Sequence, residues 1–344
     1  MQTEENKKGE IEFKKKLYEQ QINNQTVLRD EHDAAGIETL LADRMRVTAK
    51  QMKELRQKVI ALSPYVEIGA ERGQRSLVMA NDLGAAGAAI DLSFEMLKSC
   101  EYYRAKYGLK KLPLRICCDA YNLPFRDNSL PFAFCYQTLH HFADPTPIVN
   151  ELHRVLAPGG HFFFAEEPYQ KVLHLNLYKK KVVDRKEPGV FNALARLADR
   201  FLAEETCNAV DFGITENVNM PLSKWLAALG AFSQKAITLT SLKAFKVNFK
   251  NPLSFIFYPV AYLFGGEISG LCQKSGQAER PATTIYECLA CPACGKDDPV
   301  SALTVKNDKA ICEKCHESYP IIDGVLFLFT RPELAKYYPE IANR

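Results

Sequence analysis

Between Tyr65 and Ala165, short apolar runs alternate with helical segments, and this rhythm narrows the fold more than any other feature of the chain. Residues 65–68, 86–90, 114–118, 132–137 and 161–165 read as strands. Residues 74–83 read as a helix closed by Gly84, and Ser93 can cap a second helix that ends before Gly108. Asp144-Pro145 opens a third, whose apolar face is Ile148, Leu152 and Val155. Pro158-Gly159-Gly160 then turns the chain into the fifth strand. Such alternation implies a doubly wound, mostly parallel sheet covered by helices on both faces. A sheet of that kind binds ligands at the carboxyl ends of its strands. With 344 residues there is room for one large domain and a small one.

The flanking segments are read from charge and period. Residues 1–36 are charged and form a helical or partly disordered arm. From Ile37 to Leu62 apolar side chains recur at spacings of three and four, marking a long amphipathic helix that Ser63-Pro64 stops. Residues 168–218 break the rhythm and read as an insertion with a basic run at Lys179, Lys180, Lys181, Arg185 and Lys186. Residues 221–229 suggest a short helix, and 235–240 and 267–274 two more strands. The stretch PLSFIFYPVAYLF, 252–264, is too short to span a bilayer and is interrupted by Pro259. It reads as a core helix, with a greasy acceptor pocket as the alternative. The first thirty residues lack the apolar core of a secretory signal, which predicts a soluble, cytoplasmic protein without stable membrane insertion. A net charge of +3 does not by itself point to nucleic acid or an anionic membrane.

Three strands end in acids. The first runs into YVEIGAERGQ, where Glu67 precedes Gly69 and Gly73; the second ends at Asp91 in AIDLS; the third ends at Asp119 in CCDAYNLPF. Glycines let a ligand touch backbone, the next helix offers free N–H groups, and an acid about twenty residues on can accept from ribose hydroxyls. The G-x-x-x-G spacing is not that of a dinucleotide loop. With LHHF and ELHRVLAPGG followed by Glu166-Glu167-Pro168, residues 65–168 resemble the class I S-adenosylmethionine-dependent methyltransferases. The resemblance implies a Rossmann-like methyltransferase fold. It implies that Glu67 holds the loop and faces the methionine portion of S-adenosylmethionine, while Gly69 and Gly73 let backbone approach it. Asp91 would bind the ribose, Asp119 with the Ala120 amide the adenine edge, and Gln137 would lie near the methionine side. Two residues depart from the pattern: Glu71 stands for a glycine, and Pro131 for an aspartate. Glu71 is expected to turn its side chain toward the helix start or solvent; if it filled the pocket, the site would be dead.

Methyl transfer is an in-line displacement in which the protein supplies orientation and, where needed, a base. His140, His141, Glu166 and Glu167 all fall at the binding edge. His140 is the catalytic candidate, against the plainer reading that the histidine pair packs a helix start.

Cys291-x2-Cys294 and Cys312-x2-Cys315 carry the spacing of a four-cysteine zinc site. Cys288-x2-Cys291 offers another register, and Cys312-x2-Cys315-His316 matches a haem attachment motif. The paired knuckles favour a structural zinc, since four thiolates leave no open position. Asp323-Gly324 marks a hairpin between apolar strands. CPAC, CEKC and YPIIDG resemble the small zinc-ribbon subunit that activates several tRNA, rRNA and release-factor methyltransferases, which implies a fused ribbon and a protein partner for it. The expected organisation is an arm over 1–36, a methyltransferase domain over 37–275 and a zinc-ribbon domain over 276–344. The expected activity is methyl transfer to a small-molecule acceptor: lipid-linked, sugar or metabolite. An RNA or translation-factor methyltransferase and a non-catalytic adaptor are the alternatives.

Overall fold

In the computed structural model the described residues are 4–22, 34–58, 60–173, 178–179, 203–204, 217, 219–278, 282–294, 302–306 and 308–343. Two helices, α1 (Glu4–Ile22) and α2 (Ala34–Gln57), precede the alternating core. The core comprises β1 (Tyr65–Ile68), α3 (Gln74–Asn81), β2 (Gly87–Asp91), α4 (Phe94–Lys106), β3 (Leu114–Cys117), β4 (Leu130–Tyr136), α5 (Thr146–Val155) and β5 (Leu156–Tyr169). Then follow α6 (Leu222–Ala228), β6 (Gln234–Ser241), β7 (Phe245–Asn248), α7 (Tyr258–Phe264) and β8 (Gly266–Gln273). The cysteine module supplies α8 (Ile285–Cys288), β9 (Leu303–Val305), β10 (Lys309–Cys312), β11 (Ser318–Ile322) and β12 (Val325–Phe327). It closes with α9 (Arg331–Tyr337) and α10 (Pro339–Ala342).

Among the described residues, one sheet of 12 strands runs in the order β9-β10-β11-β12-β3-β2-β1-β4-β5-β8-β6-β7. The five alternating strands and β12 pair in parallel. The flanks are antiparallel: β8 lies between β5 and β6, and β9 to β12 form a meander. Strand order reverses at β1, whose neighbours β2 and β4 lead to opposite halves, and a crevice opens at such a point. β1 and β4 are buried along their whole length, because helices cover both faces. α5 buries Ile148, Val149, Leu152 and Val155, a stripe at helical spacing worth about 1.5–3 kcal/mol per side chain. Trp225 is fully buried, lies parallel to the Phe164 ring and donates from Nε1 to the Pro168 carbonyl at 3.1 Å.

Several expectations are corrected. The fifth strand begins before Pro158-Gly159-Gly160, so the expected turn is an irregularity within β5, opposite the register shift between Leu130 and Phe132. α2 ends at Gln57 rather than reaching Leu62. Residues 252–264 are not a core helix: they form a 3-10 turn (Pro252–Phe257) and α7, and Leu253, Phe255, Ile256, Phe257 and Tyr262 are exposed. Most of the expected insertion over 168–218 lies outside the described residues, including its Lys180, Lys181, Arg185 and Lys186.

The sheet runs across the boundary expected at 276. β12 adds in parallel to the edge of β3, with Val325 opposite Arg115 and Phe327 opposite Cys117. The two residues between β11 and β12 are Asp323 and Gly324, at φ 49° and 73°, the left-handed pair that a tight hairpin requires. At the other end of the module, the Arg126 N–H donates to the Cys288 carbonyl at 2.8 Å and the Ala290 N–H to the Pro124 carbonyl at 3.0 Å. Beyond β12, the buried Tyr338 hydroxyl donates to the Leu92 carbonyl at 2.6 Å and accepts from the Phe94 N–H at 3.1 Å. Tyr338→Phe leaves both backbone groups without this partner, and should cost about 1–3 kcal/mol in chemical denaturation. A loss below the measurement error would show that the C-terminal helices do not brace the β2–α4 turn.

Candidate functional site

A pocket opens over the carboxyl ends of β1 to β4. Its wall includes Glu67, Gly69, Glu71, Asp91, Asp119 and Gln137, along with Ala120. Gly69, at φ 64°, is held in a cradle: a Cβ there would lie 2.5 Å from both Cγ2 and Oγ1 of Thr138. Gly73, at φ 66°, starts α3 against Cys100, whose Sγ would be 2.7 Å from an added Cβ. Only glycine meets both demands, positive φ and close approach.

The acids are held by backbone and by cations. Asp91 accepts from the Glu71 N–H through Oδ2 at 2.8 Å and from the Ser93 N–H through Oδ1 at 2.9 Å. Burial raises its pKa, while Lys14 and these N–H groups pull it back. Glu67 is buried and accepts from Ser76 Oγ at 2.6 Å; burial pushes its carboxyl up to about 7, against the opposing effects of Ser76 and Arg75. Asp119 accepts from the Tyr121 N–H at 3.0 Å and pairs with Lys7 of α1, whose ammonium lies 4.6 Å from the Tyr121 ring centre.

Glu71 does not turn to the helix start or to solvent. Its backbone takes the left-handed conformation a glycine would favour, at φ 51°. Its carboxylate accepts from Arg72 at 2.9 Å, Arg44 at 3.3 Å and Lys14 at 3.5 Å. Two of these cations come from α1 and α2, which close one side of the pocket. Arg44 also reaches Gln137 Oε1 at 3.4 Å, and Gln137 itself sits at φ 48°. Sequence reasoning missed the arm as pocket wall; its charged residues read only as a helical or partly disordered arm. It also missed Arg75, which is buried, stacks 3.7 Å over the Tyr136 ring, and bonds Thr48 Oγ1 and Glu166 Oε2 at 3.0 Å each.

The histidine pair is split by the loop after β4. His140 is buried, and its Nδ1 lies 2.9 Å from Glu167 Oε2; it is not part of the pocket wall. Glu167 is fully buried and also accepts the N–H groups of Thr138, Leu139 and His140 at 2.7, 3.0 and 3.2 Å. His141 is the member on the wall, with its ring centroid 4.4 Å from that of His140.

The residues present fit S-adenosylmethionine, the cofactor that the methyltransferase resemblance implies. The glycine cradle admits backbone contact. Gln74 lies on the wall, is buried, and its Oε1 has no hydrogen-bond partner among the described residues, which leaves an acceptor over at the pocket.

The second site is the thiol cluster of Cys291, Cys294, Cys312 and Cys315, whose sulfurs all lie within 4.8 Å of one another. Cys291–Cys315 and Cys294–Cys312 are each 3.7 Å apart, too long for a disulfide. Four thiolates at about 2.3 Å from a tetrahedral zinc stand about 3.8 Å apart, so the donor set fits that ion. Cys288 is excluded from the cluster; it is buried, with its sulfur 3.5 Å from the Ser129 carbonyl. The Tyr319 hydroxyl, 3.0 Å from Cys291 Sγ, also accepts the Ala293 N–H and steadies the knuckle.

Comparison with known proteins bears on the alternating core that carries the first site. Residues 66–164 match the family model described as a methyltransferase domain. The protein named "Probable tocopherol O-methyltransferase, chloroplastic" of Oryza sativa subsp. japonica is 26% identical over 147 residues, 43% of this chain and 39% of that one. The malonyl-[acyl-carrier protein] O-methyltransferase of Alcanivorax borkumensis is 37% identical over 111 residues, 32% of this chain and 36% of that one. The chain thus spans well under half the length of these curated relatives. A solved complex from Haloferax volcanii, of the Trm112 methyltransferase activator with a methyltransferase, aligns over 71% of this chain and 96% of that one, at 15% identity and a TM-score of 0.41.

Proposed function

We propose that the chain transfers a methyl group from S-adenosylmethionine to a small-molecule acceptor, lipid-linked, sugar or metabolite. The observation that carries this reading is the convergence of Glu67, Asp91 and Asp119 with the Gly69 cradle on one pocket at the switch point of the sheet. The cofactor, when bound, supplies an electrophilic methyl on a sulfonium. Glu67 and Gln74 would face its amine, Gly69 and Gly73 its backbone-close portion, Gln137 the methionine side, Asp91 the ribose, and Asp119 with Ala120 the base. The relatives named for tocopherol, malonyl-[acyl-carrier protein] and norajmaline support a small-molecule acceptor, and as they include both O- and N-methyltransferases they leave the acceptor atom open.

The proton of the acceptor needs a destination. Glu167 fixes the His140 ring: if Nδ1–H donates to the carboxylate, Nε2 is left as the basic nitrogen. His140 remains the proposed catalytic histidine on that account, although of the pair it is His141 that lines the pocket. Glu166 is a weaker base candidate because Arg75 holds it.

The cysteine cluster supports a structural zinc, which would tie the turn between β10 and β11 to the loop after α8. The likeness of that module to an activator subunit keeps an RNA or translation-factor substrate as the second reading. Incubating the protein with methyl-labelled S-adenosylmethionine and separate pools of lipid extract, polar metabolites and RNA tests both. Label in the lipid or metabolite pool is expected; label in RNA alone would overturn the first reading, and no transfer to any pool would favour the adaptor.

Glu71 discriminates further. Because its carboxylate is neutralised by three cations, Glu71→Gly should leave cofactor affinity within about tenfold of the wild type, less than the effect of losing a charged hydrogen bond to the ligand. Binding that appears only in Glu71→Gly would show that the side chain blocks the site.

A further inference from the structure

We infer that residues 241–266 dock the protein on the surface of an anionic lipid bilayer. The exposed side chains of this segment are apolar to an extent unusual for a water-facing surface: Leu253 is 85% and Ile256 76% exposed, with Phe255, Phe257 and Tyr262 beside them. The patch is built, not frayed. Val247 and Ala261 are fully buried beneath it, and the Tyr169 hydroxyl donates to the Ala261 carbonyl at 3.1 Å. Aromatic contacts link its parts: Phe245 to Phe257 at 5.5 Å, Phe249 to Phe255 at 5.6 Å, and Tyr258 to Tyr262 at 6.2 Å between ring centroids.

Charge selects the occupant. The segment holds three lysines, Lys243, Lys246 and Lys250, all exposed, and no Asp or Glu. Lys243 acts on Glu267, the next residue after the segment; Lys246 and Lys250 form no salt bridge among the described residues. An apolar tip flanked by lysines suits the boundary between acyl chains and anionic headgroups. It suits a second copy poorly, because a two-fold contact would bring the same lysines to one rim. No helix among the described residues is long and apolar enough to cross a membrane, so the segment would lie on the surface.

Its place in the fold makes docking useful. The segment leads into Gly266, which pairs with Tyr169 at the carboxyl end of β5, the edge of the sheet on which the pocket opens. Docking would therefore bring that edge toward the bilayer. The inference does not depend on methyl transfer, because its test reads binding alone.

The full chain is mixed with vesicles of phosphatidylcholine in which about one third of the lipid is phosphatidylglycerol, and the vesicles are pelleted. The wild type is expected in the pellet, with less binding to pure phosphatidylcholine. Leu253→Asp/Ile256→Asp should reduce the partition coefficient about tenfold or more. Lys246→Glu/Lys250→Glu should abolish the preference for anionic vesicles. Both pairs are exposed, and unchanged melting temperatures would show that the fold survives. Wild-type protein left in the supernatant overturns the inference, whether the patch is covered by the rest of the chain or by a second copy. So does a Leu253→Asp/Ile256→Asp variant that pellets as the wild type does.

Discussion

Cys312→Ser should remove stoichiometric zinc from the protein and unfold the C-terminal strands. Structural zinc in small modules contributes roughly 10–16 kcal/mol of apparent binding energy near neutral pH. The strands it would tie are short, three to five residues each, and bury little by themselves. The consequence should spread, because β12 pairs with β3 and Phe327 packs against Phe94 at 5.1 Å. Losing the module would bare the β3 edge and the groups that Tyr338 holds at Leu92 and Phe94. Hydrogen exchange should therefore rise first in β9–β12 and then in β3, and elemental analysis should find about one zinc per wild-type chain and none in the variant. Wild-type protein free of zinc, or a variant with undiminished protection, would contradict this account of the module.

Asp91→Ala should weaken S-adenosylmethionine binding at least tenfold. A charged hydrogen bond is worth about 1.5–3 kcal/mol, and every 1.4 kcal/mol is a factor of ten in affinity. The side chain has a second duty, since its oxygens also order the Glu71 and Ser93 amides. Both duties act in the same direction: without the carboxylate the loop loses its anchor, and the ribose would lose the acceptor proposed for it. Titration calorimetry measures the affinity, and a thermal melt on the same variant separates loss of binding from loss of fold. An unchanged affinity would place the cofactor elsewhere.

Much of this site could be read from residues. Glycine at Gly69 and Gly73 marks positive φ, and acids at Glu67, Asp91 and Asp119 recur at strand ends because the period of the α/β unit brings them there. The cysteine spacing and Asp323-Gly324 are equally local signals. What escaped was long-range. Nothing local shows that β12 will pair with β3 rather than stand in a separate ribbon. Lys7 and Lys14 look like solvated helix charges until the fold sets them beside Asp119 and Glu71. Residues 252–264 are apolar whether they face a core or the outside, and hydrophobicity alone does not tell the two apart. That only His141 of the pair lines the pocket also escaped, because adjacent residues in a loop separate only when Glu167 anchors one of them.

The central claim is that the pocket over β1 to β4 is a working cofactor site although Glu71 stands where a glycine is usual. Titrating S-adenosylmethionine into the unmodified full chain tests it most directly. The account predicts saturable binding at about one cofactor per chain, the ordinary stoichiometry of one switch-point crevice per sheet. Heats indistinguishable from dilution at every cofactor concentration would contradict it.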